Sequence, residues 1–345
     1  MPKRPPAAQT ALGPMVIAAC EQHLPESQRV FSDELAVQFL PPGLRLVVRA
    51  SRWRPVRDLL AGATDKQALG LWASVLSRKR YADDKVSEAV QAGIEQFVFL
   101  GAGLDTRAYR LMPPTDARAF EIDLPANIAY KRQRLEAIFG RVPDHVVLIP
   151  VDFQTDDLAD VLHAHGLDQG IPTMFVWEAV TQYLTEDGVR RTLAALAKAA
   201  LGSRLIFTYV RKDFLDGTDF YGAERAHQDF VVKHAVWHFG LGPDDVQSLL
   251  QEYGWAEREQ VGGQEYRARY IRPTGRDLPV SEIERFVYGE SVRRLLSVTD
   301  MERDGGAAAD RPGHSRPALG TVPADPVQAV QAEYDHRACD HRPRR

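Results

Sequence analysis

Short apolar runs alternate with stretches of helical periodicity in the middle of the chain. The runs cover residues 97–100, a second segment that closes on Glu121 and Asp123, and then residues 146–151, 174–177 and 204–210. Unbroken apolar runs bounded by turn residues are typical of strands that are buried on both faces, as in parallel sheets. Strands that alternate with helices indicate a doubly wound sheet. The pattern therefore predicts an α/β fold with a mostly parallel, doubly wound sheet.

The two ends of the chain differ from this α/β region, which we place at residues 93–298. Residues 1–15 begin with a Pro-rich stretch and are predicted to be loose. Residues 16–92 are mostly helical in pattern, with breaks at prolines, and predict an N-terminal helical cover. Residues 299–345 contain almost no large apolar side chains, so this tail is predicted to be disordered.

Several shorter elements are predicted around these regions. A helix over residues 83–92 would lead into the first strand, with the basic segment 77–80 preceding it. Residues 211–245 are irregular and rich in aromatic and histidine residues. A helix over residues 243–253 and two closing strands, at about 255–261 and 266–272, complete the predicted domain.

A Gly-Ala-Gly turn follows the first predicted strand. Gly101 and Gly103 allow a sharp turn and leave no side chain between the main chain and a ligand. Asp123, about 20 positions further on, occupies the place where doubly wound folds bind a ribose diol. The dinucleotide fingerprint has a third glycine, whereas this chain has Thr106 at that position. The pattern therefore favours S-adenosylmethionine, which has no pyrophosphate, over NAD(P).

Three successive strands are predicted to end on carboxylates. Glu121 and Asp123 end the second strand, Asp152 ends the third and Glu178 ends the fourth. The carboxyl ends of parallel strands lie along one edge of the sheet, where ligands bind in open α/β folds. A single strand-end carboxylate is explained by helix capping, but three beside a glycine turn indicate a shared site.

Composition narrows the classes of function further. The net charge of −4 over 345 residues gives no basic footprint for nucleic-acid binding. The two cysteines, Cys20 and Cys339, are far apart, which argues against a disulfide scaffold and fits a reducing compartment. No apolar run approaches the roughly 20 residues that span a bilayer. A short apolar stretch near the N-terminus resembles an export signal, but Gly13 and Pro14 interrupt it, so a cytoplasmic protein is expected.

Several ordered motifs resemble the leucine carboxyl methyltransferase family, closest to its bacterial S-adenosylmethionine-dependent branch. The motifs are LGAGLDTRAYRL at residues 100–111, EIDLP followed by Lys131, VDF at 151–153, EAVTQYL at 178–184, SRKRYADD at 77–84 and the segment 33–40. The resemblance spans about residues 31–292. It implies a class I, Rossmann-like methyltransferase with S-adenosyl-L-methionine as cofactor.

The resemblance also implies roles for individual residues at the amino-acid and ribose ends of the cofactor. Arg78 would pair with the methionine carboxylate, as a guanidinium suits a carboxylate, and Arg80 is the alternative. Gly101 and Gly103 would pass under the methionine portion. Asp123 would accept hydrogen bonds from the ribose hydroxyls.

The remaining implied roles concern the adenine, the sulfonium and the acceptor. Asp152 would accept from the adenine amino group, and Phe153 would contact the purine ring. Glu178 would lie near the sulfonium or the amino group of the cofactor. Tyr183 would lie near the acceptor pocket, which we place in the insertion at about residues 211–245.

Histidines in this insertion are candidates for catalysis. His227, His234 and His238 are spaced so that one helical face could carry all three. A metal site is disfavoured because the glutamate of the metalloprotease motif and a third ligand are missing. A catalytic base is a second interpretation, with His234 and His238 as acceptor-pocket candidates, and ordinary surface histidines are the third.

Basic residues in the helical cover allow two interpretations. Arg45, Arg49 and Arg52 share one predicted helical face, which is either solvated or the wall of a pocket for an anionic substrate. On the helix after Asp123, Lys131 is predicted to lie outside, with Arg132 and Arg134.

The combined prediction is an S-adenosyl-L-methionine-dependent O-methyltransferase. Its acceptor is expected to be a carboxylate, or a hydroxyl, of a small molecule, without a metal and without nucleic-acid or membrane partners. The alternatives are an NAD(P)-dependent Rossmann-type oxidoreductase and a nucleoside-binding protein without catalytic activity.

Overall fold

The computed structural model describes residues 12–112 and 117–292, which lie within one compact unit, Met1–Arg294. The helices are α1 Leu12–Glu21, α2 Ala36–Phe39, α3 Pro42–Ala50, α4 Arg54–Asp65, α5 Leu71–Gln91, α6 Arg107–Arg110, α7 Pro125–Phe139, α8 Leu158–Ala164, α9 Glu186–Leu196, α10 Lys212–Leu215, α11 Glu224–Ala226, α12 Val246–Glu252 and α13 Gly263–Tyr266. The strands are β1 Gln96–Leu100, β2 Arg118–Asp123, β3 Val146–Pro150, β4 Thr173–Trp177, β5 Arg204–Arg211, β6 Gly240–Leu241, β7 Trp255–Val261 and β8 Glu284–Ser291. The predicted disordered tail, 299–345, lies outside the described residues.

The strands form one twisted α/β sheet in the order β3-β2-β1-β4-β5-β8-β7, and the short β6 pairs with β5. Strands β1 to β5 are mutually parallel, while β8 runs antiparallel to both β5 and β7. The predicted class I, mostly parallel α/β fold is confirmed. The strand order reverses between β1 and β4, and a crevice for ligands forms at the carboxyl ends of the strands at such a switch point.

Strand β1 is buried on both faces, as its apolar run predicts. Phe97 and Phe99 pack into one core cluster together with the helical cover. Val98 and Leu100 point the other way, into the cluster that contains α8 and α9. Because successive side chains of a strand alternate between faces, a continuous apolar run is needed when both faces are covered.

The helical cover comprises α1 to α5. Asp33 caps its short second helix, because Oδ1 accepts hydrogen bonds from the backbone N–H groups of Leu35 and Ala36 at 3.1 and 3.0 Å. Helix α1 already begins at Leu12, whereas the sequence predicted a loose segment through residue 15. No helix in the described part of the chain combines the length and apolarity needed to cross a bilayer.

Helix α5 begins earlier than the sequence predicted. It runs over 21 residues from Leu71, so the segment predicted to precede a helix at residue 83 lies inside this helix. Gly70, with φ +76°, starts the helix, and no glycine or proline interrupts the sequence until it ends. Arg78 therefore projects from a rigid element.

The second closing strand was predicted in the wrong place. Residues 266–272 are helical, with a π-helical turn at Arg267–Ile271, and the closing strand is β8. Tyr266 and Ile271, five residues apart, are both buried, and a π-turn with its i→i+5 repeat brings both onto the core side. Tertiary packing has overridden the local strand pattern here.

The carboxylate of Glu121 is part of the protein core. Lys131 Nζ lies 2.8 Å from Glu121 Oε1, and Tyr109 donates its hydroxyl to Oε2 at 2.5 Å. Burial raises the pKa of Glu121 despite the opposing charge of Lys131. Lys131 is fully buried, so the prediction that it lies outside was wrong. Its aliphatic stem crosses the core, and its charge neutralises an acid that faces inward.

We predict that Lys131→Ala destabilises the fold by about 3–5 kcal/mol, because it leaves Glu121 as an uncompensated buried charge. Urea unfolding followed by circular dichroism measures this. The exposed neighbour Arg132 provides the control, and Arg132→Ala should change stability by less than about 0.5 kcal/mol. A loss of less than about 1 kcal/mol for Lys131→Ala would contradict the assignment of a buried ion pair.

Candidate functional site

A cavity of about 1030 Å³ lies at the carboxyl edge of the parallel strands. Part of its lining follows β1, β2, β3 and β4, and comprises residues 101–105, 123–124, 152–154 and 178–180. The rest comes from the helical cover and from the segment after β5. The three strand-end carboxylates Asp123, Asp152 and Glu178 therefore share one site, while Glu121 lies in the core.

The Gly-Ala-Gly turn after β1 requires glycine. Gly101 and Gly103 have φ angles of +66° and +45°, in the left-handed region. A Cβ atom on Gly101 would also lie 2.3 Å from Cγ2 of Val180, which packs over the turn from the loop after β4. The two loops approach so closely because one of them carries no side chain there.

Asp123 fixes this turn from the neighbouring strand. Its Oδ2 accepts a hydrogen bond from the backbone N–H of Gly103 at 2.6 Å. Its Oδ1 accepts from the backbone N–H of Leu124 and from the side chain of Asn127, both at 2.7 Å. A carboxylate has about four lone-pair positions, so three of them are occupied. Burial raises the pKa of Asp123, and the three donors offset this only in part.

Glu178 lies between two arginines. Its Oε1 accepts from Arg78 Nε at 2.8 Å, and its Oε2 lies 2.8 Å from Arg107 Nη1. Burial alone would raise its pKa, but the charges of Arg107, Lys79 and Arg78 outweigh burial and hold the pKa below its ordinary value. Glu178 is therefore ionised in the folded protein.

The turn after Glu178 has an unusual backbone. Ala179 has a φ of 58°, which is rare for a residue with a Cβ. Its N–H donates to Thr208 Oγ1 at 2.7 Å, and Thr181 donates its hydroxyl to the Thr208 carbonyl at 2.6 Å. Strain of this kind persists where the surroundings hold it, and it concentrates at functional sites. Here the turn places Ala179 and Glu178 on the cavity wall.

Comparison with known proteins identifies the family. A model described as leucine carboxyl methyltransferase matches residues 11–197, more than half of the chain. The chain belongs to the leucine carboxyl methyltransferase family. This confirms the resemblance seen in the sequence motifs.

Bacterial relatives support the same assignment. A protein of Streptomyces coelicolor is 32% identical over 252 residues, which cover 71% of this chain and 82% of the relative. A protein of Frankia alni is 30% identical over 271 residues, covering 76% of this chain and 87% of the relative. Both relatives are named as S-adenosyl-L-methionine-dependent methyltransferases.

Solved structures agree with the fold. A protein from Thermobifida fusca described as a methyltransferase has a TM-score of 0.51 at 20% identity, covering 70% of this chain and 90% of that one. A DUF574 family protein from Streptomyces avermitilis has a TM-score of 0.52 at 14% identity, covering 80% of this chain and 97% of that one. At these identities the similarity establishes the fold alone.

All of the predicted cofactor-binding residues line the cavity of this methyltransferase. They are Arg78, Gly101, Gly103, Asp123, Asp152, Phe153 and Glu178, and Tyr183 lies in the same lining. Arg80, the alternative to Arg78, forms an exposed ion pair with Asp84 and is not part of the lining. The site has carboxylates for hydroxyl and amino groups, a guanidinium for a carboxylate and an aromatic ring. This donor set fits a nucleoside that carries an amino acid, and the binding roles stay predictions.

Three charged residues at the site were missed by sequence reasoning. Asp105 pairs with Arg107. Burial would raise the pKa of Asp105, but the charges of Arg107 and Lys79 outweigh burial and hold this pKa below its ordinary value. Lys79 lines the cavity beside Arg78, and Glu284 accepts from Arg78 Nη1 at 2.5 Å. Asp105 and Lys79 lie within motifs already quoted. Glu284 begins β8, the strand that was predicted in the wrong place.

The catalytic histidine candidates are not part of the lining. His234 and His238 are exposed, and His227 packs against Phe214 and Phe220 with its Nε2 3.3 Å from the Leu215 carbonyl oxygen. The prediction that one helical face carries all three was wrong. A π-helical segment, His227–Lys233, follows α11 and ends before His234, and Ala235 with a φ of 46° then turns the chain away. In the described part of the chain no group of His, Cys, Asp and Glu is suited to a metal ion.

The basic residues of the helical cover also lie outside the lining. Arg45 donates to the carbonyl oxygens of Leu40 and Gln38, and Arg49 and Arg52 are exposed. The solvated-face interpretation therefore describes them. Instead, the predicted insertion after β5 contributes Phe230 and Trp237 to the cavity wall, and its role as the acceptor pocket stays a prediction.

We predict that Gly101→Ala destabilises this methyltransferase by more than about 1–3 kcal/mol, the cost of a left-handed non-glycine residue. The additional cost comes from the contact between the new Cβ and Val180. Urea unfolding measures the loss.

Gly93 is the matched control, because it has a φ of +78° but no atom within 4 Å of a built Cβ. Gly93→Ala should therefore show the backbone strain without the contact. Equal losses for the two variants would show that the approach of Val180 has no energetic importance.

Proposed function

We propose that the chain transfers the methyl group of S-adenosyl-L-methionine to an oxygen, of a carboxylate or a hydroxyl, on a small-molecule acceptor. Membership of the leucine carboxyl methyltransferase family supports methyl transfer from this donor. The observation that carries the proposal is the single cavity, which joins a charged wall at the strand ends to an apolar wall under the helical cover. One cavity with two such walls suits a polar cofactor and a separate acceptor.

The charged wall would hold the cofactor through this chain's own residues. Arg78 would bind the methionine carboxylate, with Lys79 beside it as a second cation. Arg78 Nε donates to Glu178 and Arg78 Nη1 donates to Glu284, so the guanidinium is held rigidly and its Nη2 remains for a ligand. Asp123 keeps one lone-pair position, which suits one ribose hydroxyl better than two.

At the opposite end of the charged wall lie Asp152 and Phe153, which would contact the adenine. When bound, the cofactor would supply a methyl group activated by its sulfonium, with the new O–CH3 bond formed as the S–CH3 bond breaks and S-adenosylhomocysteine leaves. The protein then contributes mainly alignment, because holding donor and acceptor in the reactive geometry supplies much of the acceleration. Glu178, ionised and fixed by two arginines, would add negative charge near the sulfonium.

The acceptor oxygen needs no histidine base if it belongs to a carboxylate. A carboxylic acid has a pKa near 4 and is an anion at neutral pH, whereas a phenol with a pKa near 10 benefits from proton removal. Among the described residues no histidine lines the cavity, and Arg45, Arg49 and Arg52, considered as a wall for an anionic substrate, also lie outside the lining. We therefore keep carboxylate as the first expectation and hydroxyl as the second.

A dinucleotide fits this site less well. A pyrophosphate binds at the N-terminus of a helix that follows the glycine turn. The helix after this turn, α6, has four residues, and the hydroxyl of its N-cap Thr106 donates to Asp33 Oδ2 at 2.7 Å. The NAD(P) oxidoreductase alternative therefore has no support in the local structure.

Calorimetry with S-adenosylhomocysteine and with NADH tests the proposal. We expect S-adenosylhomocysteine to bind and NADH not to compete. Asp123→Ala should weaken binding by about 1.5–3 kcal/mol, the worth of a hydrogen bond to a charged group. The exposed Asp144, far from the cavity lining, is the control residue, and Asp144→Ala should bind normally.

NADH binding that S-adenosylhomocysteine does not displace would refute the proposal. An unchanged dissociation constant in folded Asp123→Ala would refute only the ribose assignment. Glu121 could not take over that role, because it is fully buried against Lys131.

We further predict that replacing His227, His234 or His238 by Ala leaves turnover close to that of the unchanged protein. None of the three lines the cavity. The measurement is turnover with an identified acceptor, with S-adenosylhomocysteine affinity as a check of folding. A loss of about a hundredfold or more from one replacement, with affinity unchanged, would indicate base-assisted transfer to a hydroxyl.

A further inference from the structure

The cavity is larger than the cofactor-binding wall requires. Its volume of about 1030 Å³ is at the upper end of the roughly 300–1,000 Å³ that pockets for drug-sized ligands occupy. The predicted cofactor contacts lie on the wall at the strand ends and at Arg78 of α5, which faces that wall. The remaining space extends under the helical cover, and we call this space the acceptor chamber.

The acceptor chamber extends along helix α5. Leu71, Val75 and Arg78 line the cavity at the i, i+4, i+7 spacing of one helical face, and Trp72 lines it beside Leu71. Leu71 and Arg78 are seven residues apart, which is roughly 10 Å along the helix at about 1.5 Å per residue. The end at Arg78 is charged, because Arg78 pairs with Glu178 and Glu284.

The helices at the far end of this axis contribute mainly apolar side chains, and the polar side chains they add, Thr64 and Ser74, are uncharged hydroxyls. Helix α1 and helix α4 contribute Val16, Ile17 and Leu60, and the segment after β5 contributes Phe230 and Trp237. The charged side chains of the lining all belong to α5, to the strand ends with the loops that follow them, or to the start of β8. Among the described residues, α1, α3, α4 and the segment after β5 add no charge to the cavity.

This polarity selects for one kind of acceptor. A charged group in the chamber would lose its hydration without a charged partner, and a peptide group would meet at most the hydroxyls of Thr64 and Ser74, which is costly. An apolar group would gain from leaving water. The reacting oxygen must approach the charged end, because the predicted contacts of the methionine portion, Arg78 and Glu178, lie there.

We propose that the acceptor is an elongated apolar molecule with its reacting oxygen at one end. Its body lies along α5 from Arg78 towards Leu71, between Trp72 and Val75 on one side and helices α1 and α4 on the other. The inference rests on the proposed methyl transfer and deepens it by naming the acceptor class. Peptide C-termini and small polar acids are excluded as good acceptors by the same argument.

A homologous series tests the proposal. Straight-chain carboxylic acids and straight-chain 4-alkylphenols of increasing length are offered with S-adenosylmethionine, and kcat/KM is measured. Each buried methylene should raise kcat/KM by about fourfold until the chamber is filled. The acids offer a carboxylate and the phenols a hydroxyl on an aromatic ring, so comparing the two series also separates these two kinds of acceptor.

A binding arm uses straight-chain alkanols in calorimetry, with the protein saturated by S-adenosylhomocysteine. Their affinity should rise by the same factor per methylene, whether or not any acid or phenol is methylated. No dependence on chain length in both arms would overturn the proposal, as would better turnover of peptides or small polar acids.

Variants locate the body of the acceptor. Ala63 in α4 lines the cavity and is exposed, so Ala63→Trp can fill chamber space without displacing the core. It should lower kcat/KM and alkanol affinity tenfold or more for the longest chains and leave the shortest unaffected. Leu59 lies in the same helix, is 71% exposed and is not in the lining, so Leu59→Trp should change neither quantity.

The experiments distinguish failure of the proposed methyl transfer from failure of the apolar acceptor chamber. Absence of S-adenosylhomocysteine binding would overturn the proposed function itself. Binding of S-adenosylhomocysteine together with equal effects of Ala63→Trp and Leu59→Trp would overturn only the apolar chamber.

Discussion

A buried network of alternating charges connects the helical cover to the sheet, and the site depends on it. Arg78 and Asp83 of α5 meet Glu178 at the end of β4 and Arg107 of α6 through ion pairs of 2.7–2.8 Å. Removing one partner of such a pair leaves an uncompensated buried charge, at a cost of about 3–5 kcal/mol. The network therefore fixes the position of α5 over the strand ends, and the cavity exists because α5 is held there.

The same network explains why the cavity has two different walls. The charges of the network lie where the Arg78–Asp83 part of α5 meets the strand ends and α6, and there Glu178 and Asp105 are kept ionised by Arg107 and Lys79. About one to two helical turns away along α5, Val75 and Trp72 pack with apolar side chains of the core. A ligand with a polar cofactor part and an apolar acceptor part matches that division.

The sequence predicted the structure correctly at positions where local backbone and side-chain chemistry permits few conformations. The apolar run of β1 must be buried on both faces, and Gly101 occupies a left-handed turn that other residues adopt only with strain. Asp123 and Asp152 follow strands, so their shared edge follows from parallel pairing alone. Sequence reasoning failed where partners are distant in the chain. Lys131 looked like a surface residue until its partner Glu121 was seen in the core.

By itself the sequence therefore determined the α/β class, the glycine turn, the strand-end acids and the family, since these depend on periodicity, backbone sterics and contiguous motifs. Only the tertiary structure decided which charges face a ligand. Arg78 and Lys79 line the cavity while Arg80, the next residue, is exposed, because helix α5 turns adjacent side chains by about 100°. The tertiary structure also placed Glu284 in the cavity lining and the three histidines outside it. Both outcomes depend on how the segments after β5 fold back over the sheet, which is decided by many weak long-range contacts together.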